Sequence, residues 1–250
     1  MKDIKKLKSI SRDLRIKTLD MAVEYDNGHI APAYSIIEIL AVLYESVLTK
    51  QDKFILSKGH AALSYYCMLR KKEYNPVISG HPDIDINNGI ECTTGSLGHG
   101  IAIGAGIAFA RKIQNKKGHI YVLLGDGECQ EGSVWEAANL ARHFKLDNLT
   151  AIIDSNKLQA LGSVKDILSD DNLAGKFKAF GSNVVRTDGH NLGRLLKVFG
   201  AGTIKHNMPR VIIADTVKGK GLKIMENVAK WHNCIPTGAE LKNCYKELKK

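Results

Sequence analysis

The stretch from residue 119 to residue 158 constrains the fold of this chain more than any other. Two short apolar runs, each ended by a polar turn, flank a helical pattern, with the runs at 119–124 and 149–153 and the helix at 133–146. This order is typical of a βαβ unit. Because a right-handed crossover brings the carboxyl ends of parallel strands to one edge of a sheet, Asp126 and Asn156, which follow the two runs, are expected to face one crevice.

The side chains at this edge suit a metal and a phosphate. Asp126 offers carboxylate oxygens and Asn156 an amide oxygen, and hard divalent cations such as Mg²⁺ prefer oxygen ligands and often share them with phosphates. A helix follows the first turn, and the amides of a helix N-terminus can support an anion. The unit is therefore predicted to hold a metal-bridged diphosphate, although a Gly-Asp-Gly turn alone is a weak signal.

The other patterns extend this unit into a larger α/β fold. Apolar runs of strand length lie at 54–57, 183–185 and 210–215, and further helical patterns at 3–25, 34–48, 98–113, 166–180, 190–204 and 237–249. This alternation predicts a doubly wound, mostly parallel sheet with helices on both faces. Residues 1–250, of which 44% are hydrophobic, can bury the core of one domain, so a single domain is predicted. The helices predicted at its two ends are basic.

Two stretches of unusual composition stand out. The helix at 98–113 is rich in small residues, among them Gly100, Gly104 and Gly106. A glycine in a helix interior costs roughly 1 kcal/mol relative to alanine, so something is expected to pack closely here; contact within the domain and a subunit interface are both open. Residues 75–97 are irregular, which is typical of a functional or mobile loop.

Composition excludes several classes of protein. The formal net charge of +10 invites a nucleic-acid role, but eight of the 36 basic residues lie near the two ends and no aromatic-interleaved basic platform accompanies them. No apolar run approaches the length of a membrane span, and the basic start lacks the apolar region of a signal peptide. The five cysteines are odd in number and lack metal-binding spacing, which favours reduced thiols. We expect a soluble, cytoplasmic protein that binds neither nucleic acid nor membranes.

The longer pattern resembles a cofactor motif. Gly125-Asp126-Gly127, with Asn156 thirty positions after Asp126, is similar to the thiamine diphosphate-binding motif, and the match is closest to the transketolase family. Further segments resemble that family, in its order, at 27–29, 56–62, 80–82, 93–98, 125–132, 154–158 and 188–190. The resemblance spans nearly the whole chain, but it covers only the first of the three domains of a transketolase.

This resemblance implies a thiamine diphosphate-binding fold with a metal site. Asp126, Asn156 and the main-chain carbonyl of Leu158 would ligate Mg²⁺ or Ca²⁺. The residues implied at the cofactor are His60, Gly95, Ser96, Leu97, Gly125, Asp126, Gly127, Glu128 and Asn156.

The resemblance also implies catalytic residues around the reactive ring of the cofactor and the sugar hydroxyls. These are the histidines His29, His60, His81 and His232. Histidine suits this chemistry because ketol transfer moves protons at several oxygens near neutral pH. Glu131 and Glu136 match family acids that link the two cofactor sites across a dimer, and Glu136 has the alternative role of a first-turn helix acid.

The remaining histidines are interpreted differently. Surface positions or structural hydrogen bonds are expected for His99, His119, His143 and His206, and a structural turn for His190. One departure from the family is Ile30-Ala31-Pro32-Ala33, which stands where a Pro-Gly pair is common after the first histidine. The resemblance therefore does not predict the local shape near the sugar donor.

In functional terms, the resemblance implies the N-terminal subunit of a split transketolase, a transferase of aldehyde or ketone residues. It would move a two-carbon ketol group from a ketose, expected to be phosphorylated, to an aldose. A separate subunit would carry the pyrimidine-binding and C-terminal domains in an α2β2 assembly, and this chain alone would be inactive. Two alternatives stay open: half of another thiamine diphosphate enzyme, similar to 1-deoxyxylulose-5-phosphate synthase or to a 2-oxo acid dehydrogenase α chain, or a non-catalytic binding module.

Overall fold

Five parallel strands form the central sheet. The computed structural model describes residues 4–169, 172–200 and 205–249. The strands are β1 Lys53–Leu56, β2 Ile120–Gly125, β3 Leu149–Ser155, β4 Asn183–Asp188 and β5 Arg210–Asp215. They lie in the order β1-β2-β3-β5-β4, and each neighbouring pair is parallel. The prediction of a doubly wound α/β sheet is confirmed.

The strand register gathers the polar strand ends at one edge of the sheet. Gly125, the last residue of β2, lies opposite Asp154 in β3, and Ser155 lies opposite Asp215, the last residue of β5. The turns that follow β1, β2, β3 and β5 therefore leave the sheet side by side. In open α/β sheets, ligands bind outside the carboxyl ends of the strands, so this edge is the first place to look for a site.

Helices cover both faces of the sheet. They are α1 Ile4–Glu24, α2 Ile30–Tyr34, α3 Ile37–Val42, α4 Ala62–Lys71, α5 His99–Ile113, α6 Gly132–His143, α7 Val164–Ile167, α8 Leu173–Ala179, α9 Leu192–Phe199 and α10 Gly238–Leu248. Short 3₁₀ turns lie at Gly59–Ala61, Ile86–Asn88, Gly127–Gln130 and Ala229–Asn233, and a π-helical turn at Leu43–Val47. Within the described ranges, no helix has both the length and the apolar character that crossing a membrane requires.

Three helices differ from their predictions. The pattern at 34–48 is broken into α2, α3 and the π-helical turn: Ile36 leaves the helical region (φ −106°, ψ 2°) beside Ser35, whose hydroxyl donates a hydrogen bond to Asp154. The pattern at 166–180 forms α7 and α8, with 170–171 outside the described residues. The helix predicted at 190–204 begins only after Asn191, which caps it, and its predicted end falls on 201–204, also outside the described residues.

Two apolar cores fill the faces of the sheet. Successive residues of a strand point to opposite faces, so Leu123 joins the core under α1 to α4 and α9, whereas its neighbours Val122 and Leu124 join the core under α5, α6 and α8. The strands β2, β3 and β5 are therefore buried on both faces, which explains their largely apolar sequences, whereas the edge strand β4 is only partly buried.

The glycines of α5 serve close packing inside the domain. A Cβ on Gly100 would lie 2.5 Å from Ser57 Oγ, and one on Gly104 would lie 2.5 Å from Val122 Cγ2, so α5 approaches β1 and β2 more closely than any side chain would allow. Gly106, in contrast, has open space where a Cβ would be. Of the two alternatives, contact within the domain accounts for Gly100 and Gly104.

Candidate functional site

Four histidines from separate segments meet at the carboxyl edge of the sheet. The ring centre of His29 lies 5.9 Å from that of His60, 5.9 Å from that of His81 and 5.6 Å from that of His232. The rings of His60 and His232 stack, with centres 5.2 Å apart. The structure therefore brings together all four histidines that were predicted as catalytic.

Close backbone contacts hold these segments against each other. The main-chain N–H of Cys234 donates a hydrogen bond to the carbonyl of Gly28 at 3.1 Å, and a Cβ on Gly28 would lie 2.6 Å from Asn233 Oδ1. This contact sets His29 against His232. On the other side, a Cβ on Gly95 would lie 3.2 Å from the ring of His81, so the loop at 75–97 packs closely around that histidine.

Three of the clustered imidazoles, those of His29, His60 and His232, are neutral at physiological pH. The pKa of His29 is lowered to about 4 and that of His232 to about 3, and the pKa of His60 lies well below its ordinary value. Burial is the largest cause in each case, and the nearby ammonium group of Lys218 contributes further. A neutral ring can accept a hydrogen bond or a proton from a hydroxyl group, which a charged ring cannot.

Asp126 and Asn156 line one cavity, next to the histidines. The cavity has a volume of about 150 Å³, and its wall also includes His60, Leu158 and His232. Asp126 is 5% exposed, and its two oxygens accept hydrogen bonds from the main-chain N–H groups of Gly127 (2.9 Å) and Lys157 (2.6 Å). The expectation that both strand ends face one crevice is thus met.

Hydrogen bonds fix the orientation of the Asn156 side chain. Its amide nitrogen donates to the carboxylate of Asp154 at 3.0 Å, so its Oδ1 points the other way and accepts from the N–H of Leu158 at 3.0 Å. Asn156 is therefore held in the orientation that presents oxygen, the atom that a hard cation requires.

A divalent cation fits this donor set. Burial, and next to it the negative charge of Asp154, raises the pKa of Asp126 to about 6, so a bound cation would relieve an unfavourable buried carboxylate. In the described parts of the chain, no group of three His, Cys, Asp or Glu side chains could hold a metal. Amide, main-chain and ligand oxygens would have to complete the coordination, as is usual for Mg²⁺ beside phosphates.

A buried ion pair beneath the cavity escaped the sequence prediction. Lys58 is 1% exposed, and its ammonium group pairs with the carboxylate of Asp154, which is fully buried. Asp154 also accepts hydrogen bonds from Ser35 (2.6 Å) and Thr216. Burial acts to raise the pKa of Asp154, but Lys58 and these donors outweigh it and lower the pKa. The position of Lys58 directly before Gly59-His60 was the one signal in the sequence.

Lys218 is a second functional candidate that sequence reasoning did not single out. Only 1% of the residue is exposed, and its ammonium group donates to the carbonyls of Gln159 (3.1 Å) and Leu158 (3.3 Å) and lies 2.7 Å from Nδ1 of His232. Burial, together with the charge of Lys58, lowers its pKa to about 8. A buried cation in the wall of this cavity suits an anionic ligand.

Glu128, predicted at the cofactor, ties three turns together. Its carboxylate accepts hydrogen bonds from the hydroxyl of Ser57 and from the main-chain N–H groups of Gly98 (2.9 Å) and Gly125 (3.0 Å). These residues follow β1, precede α5 and end β2. Glu128 borders the cavity, but its oxygens are already engaged, so it positions the turns around the cavity.

Of the other residues predicted at the cofactor, some line the cavity and others do not. Gly125, Gly127 and Leu97 line the cavity, whereas Gly95 contacts the ring of His81 and Ser96 is exposed. Gly127 is covered closely by the side chain of Gln159, since a Cβ there would lie 2.6 Å from Gln159 Cγ.

Glu131 and Glu136 are not part of this cavity. Both are exposed at the start of α6, one as its N-terminal flanking residue and the other in its second turn. The residues that the structure brings together are therefore the four histidines and the Asp126 edge, whereas the two acids are exposed on α6.

The remaining histidines hold structural or surface positions. His190 sits in a hydrogen-bonded turn, where Nδ1 lies 2.9 Å from Glu38 Oε2 and Nε2 accepts from the N–H of Val217 at 2.8 Å. Nε2 of His119 lies 2.7 Å from Thr150 Oγ1. His99, His143 and His206 are exposed. Pro32, in the segment that departs from the family, lines the cavity, and its carbonyl accepts a hydrogen bond from Lys58 at 3.2 Å.

Comparison with known proteins supplies an independent line of evidence. Residues 6–248 match the family model described as "Transketolase, thiamine diphosphate binding domain". Two relatives, each named as one subunit of an apulose-4-phosphate transketolase, are similar over nearly their full length. The protein from Phocaeicola vulgatus is 34% identical, with 94% of this chain and 90% of the relative covered. The protein from Actinobacillus succinogenes is 39% identical, with 98% and 95% covered.

A solved structure agrees with the sequence relatives. The crystal structure of transketolase from Campylobacter jejuni superposes with a TM-score of 0.85 at 30% sequence identity. The match covers 99% of this chain but only 43% of that one. The chain thus spans less than half the length of that transketolase, and nearly the full length of the two relatives that are named as single subunits.

Proposed function

The chain belongs to the transketolase family, and we propose that it is the N-terminal subunit of a split, thiamine diphosphate-dependent transketolase. The cavity at the carboxyl edge of the sheet carries this proposal. It combines the oxygens of Asp126 and Asn156 with neutral histidines within one small volume. That combination matches the needs of a metal-held diphosphate beside a centre where hydroxyl protons move.

The metal end of the site is assigned to three residues. Asp126, Asn156 and the carbonyl of Leu158 would hold Mg²⁺ or Ca²⁺, and the ammonium group of Lys218 lies beside the same carbonyl. Gly125, where a Cβ would meet nothing closer than 3.9 Å, leaves room for a phosphate to approach the main chain, and Lys218 would offset its negative charge. Thiamine diphosphate, when bound, supplies the electron sink for cleavage of the carbon–carbon bond.

The histidines would manage the hydroxyl groups of the sugar. With pKa values of about 4 and about 3, His29 and His232 are neutral and can accept hydrogen bonds or protons from a ketose. His60, buried against His232, would orient the substrate next to the cofactor, and His81 closes the cluster from the loop side.

A second subunit is part of the proposal. Because the chain covers 43% of a solved transketolase but 90% and 95% of the two apulose-4-phosphate transketolase subunits, the pyrimidine-binding and C-terminal domains would come from another chain. Glu131 and Glu136 are exposed beside the cavity and are available for contacts across an α2β2 assembly. The donor would be a phosphorylated ketose, as the relatives' name indicates for them, and the assembly would work in the cytoplasm.

Reconstitution tests this function. The chain would be co-purified with a separate subunit that carries the missing domains, and ketol transfer to an aldose would be assayed with thiamine diphosphate and Mg²⁺. We expect activity from the pair only, and a loss of at least about 100-fold in the Asp126→Ala variant, since a metal ligand is removed. His206→Asn, at an exposed position, is the matched control and should retain full activity.

Two results would contradict the proposal. Full activity of the isolated chain would exclude a split enzyme. Tight, Asp126-dependent binding of thiamine diphosphate to the pair without any ketol transfer would favour a different thiamine diphosphate enzyme, and no binding at all would favour a non-catalytic module.

A further inference from the structure

A second concave surface lies apart from the catalytic cavity. It is a groove of about 680 Å³ between α1, the start of α9, the end of α10 and the loop at 220–221. None of its lining residues belongs to the wall of the cavity around Asp126. The proposed catalytic function does not use this groove.

Positive charge predominates in the groove. Its basic residues are Lys8, Arg12, Arg15 and Lys220, and its acidic residues are Glu38 and Glu247. Glu38 is already bound by both terminal nitrogens of Arg15, and Glu247 accepts long hydrogen bonds of 3.3 and 3.4 Å from the N–H of Lys223. Lys8 is exposed and has no ion-pair partner within the described residues. Lys220 pairs with Glu226, and Arg12 donates to the main-chain carbonyls of Leu248 and Lys249. Among the described basic residues of the groove, Lys8 is therefore the one left available to an anion.

Main-chain donors also open onto the groove. Leu192 and Gly193 are the first two residues of α9, where N–H groups have no partner within a helix. The Asn191 side chain caps the helix by accepting from Arg194, one turn further on, so the N–H groups of Leu192 and Gly193 have no partner in the described parts of the chain. A Cβ on Gly193 would meet nothing closer than 3.4 Å, so the backbone here is accessible.

A buried hydroxyl without a partner completes the surface. Ser11, from α1, lines the groove and is 4% exposed, and its Oγ has no hydrogen-bond partner among the described residues. A buried polar group that lacks a partner is unfavourable unless a ligand supplies one. Ser11 therefore points to a missing acceptor or donor at the floor of the groove, independently of the helix N-terminus and of the charges.

We propose that this groove binds a phosphate group, either as free phosphate or as the phosphomonoester of a small metabolite. A phosphate has enough oxygens to accept from the Leu192 and Gly193 amides and from the Ser11 hydroxyl at once, and Lys8 would offset its charge. The larger volume of the groove leaves room for the organic part of an ester.

An NMR titration of the full chain tests the site. Inorganic phosphate in one arm and glycerol 3-phosphate in the other are added at constant ionic strength, and the amide signals of Leu192 and Gly193 are followed. We expect both signals to shift with saturation in the millimolar range, as befits a single phosphate-sized ligand. These two signals separate the groove from any phosphate that binds near Asp126.

Three variants make the result specific. Lys8→Glu should weaken phosphate binding about fivefold or more, because it reverses a charge at the site. Lys17→Glu makes the same change on the exposed side of α1, outside the groove, and should alter the affinity by less than about twofold. Ser11→Ala should weaken binding about threefold or more without lowering the melting temperature, because it deletes a hydroxyl that has no internal partner.

The two arms and the variants give distinct outcomes. Tighter binding of glycerol 3-phosphate would support an ester as the ligand, and equal binding would support free phosphate. Unshifted Leu192 and Gly193 signals in both arms would overturn the proposal. Equal weakening by Lys8→Glu and Lys17→Glu, or unchanged affinity in Ser11→Ala, would overturn it as well, since binding would then reflect only the general positive charge of the chain.

Discussion

Two buried ionic clusters lie near the carboxyl edge of the sheet. One contains a residue of the predicted metal site, and the other binds the neighbouring main chain. The Asp154 cluster consists of Asp154 with its donors Lys58, Ser35, Thr216 and Asn156. The Glu38 cluster consists of Arg15, Glu38 and His190. In each cluster, one buried carboxylate accepts hydrogen bonds from a buried cationic side chain and from at least one further side chain.

The clusters converge on one short segment of main chain. Thr216 donates to Asp154, the N–H of Val217 donates to His190, and Lys218 lines the cavity around Asp126. Only the Asp154 cluster also contains a residue of the predicted metal site, Asn156. The comparison indicates that the first cluster orients a residue of the predicted metal site, whereas the second holds the neighbouring backbone.

Breaking the Asp154 cluster should have the largest effect. Asp154→Ala leaves the Lys58 ammonium buried without its partner, and we expect a loss of about 3–5 kcal/mol in the free energy of unfolding. It also frees the Asn156 amide to rotate, so binding of Mg²⁺ and thiamine diphosphate by the assembled enzyme should be abolished. Urea denaturation and calorimetry measure the two effects.

A double variant separates stability from orientation in this cluster. Lys58→Met with Asp154→Leu removes both charges and should recover most of the lost stability, because a buried ion pair is often replaceable by apolar residues. Cofactor binding should remain absent, since nothing orients Asn156. Recovery of binding in the double variant would refute the orienting role.

Breaking the Glu38 cluster should cost stability with little change in binding. Glu38→Ala leaves Arg15, which is 9% exposed, without its carboxylate, so we expect a loss of about 3 kcal/mol in the free energy of unfolding. At a temperature where the variant stays folded, the assembled enzyme should bind thiamine diphosphate within about threefold of the unaltered protein, because the Asn156 contacts are intact. Complete loss of binding would show that the two clusters do not have separate roles.

The smallest effect concerns the pH dependence of stability. The unfolded chain binds a proton at His29 below about pH 6.5, whereas burial lowers the pKa of the folded group to about 4. The free energy of unfolding therefore falls as the pH drops from about 6.5 towards 4. His29→Asn should reduce this fall by about 1 kcal/mol or less, since the group is partly exposed to solvent, or about 2–4 °C in melting temperature.

A matched histidine checks the pH prediction. His206→Asn, which removes an exposed histidine outside the cluster, is measured in parallel as the control. Asp126 acts in the opposite direction, because its pKa is raised from 3.8 to about 6 and the folded chain takes up its proton first. An unaltered acid slope in His29→Asn would contradict the neutral state inferred for the histidine cluster.

The fold and the predicted metal edge could be derived from the sequence for the same reason. Apolar runs bounded by polar turns define strands, and parallel strands place their carboxyl ends together, so Asp126 and Asn156 had to be neighbours. The break at Ile36 could not be derived in this way. It depends on a contact between Ser35 and Asp154, which lie 119 positions apart in the chain.

The buried charges mark the limit of sequence reasoning at the site. Lysine is rarely buried unless it is paired, and the partners of Lys58 and Lys218 lie far away in the sequence, so no local pattern marked these two lysines as buried. The gathering of His29, His60 and His81 was implied by the family resemblance and not by any pattern of spacing, because they lie on unrelated turns. His190 was correctly assigned to a structural turn, but its link to Glu38 spans 152 positions.

The close contact at Gly28 limits which residues can occupy that position. Since a methyl group there would lie 2.6 Å from both Asn233 Oδ1 and the Cys234 nitrogen, any other residue would push the two histidine-bearing segments apart. A change at Gly28 would resemble the loss of a histidine, although all four predicted catalytic histidines would still be present. Substitutions intended to change the proposed sugar preference are therefore better tolerated in the loop around His81 than at Gly28, where two main-chain segments are in direct contact.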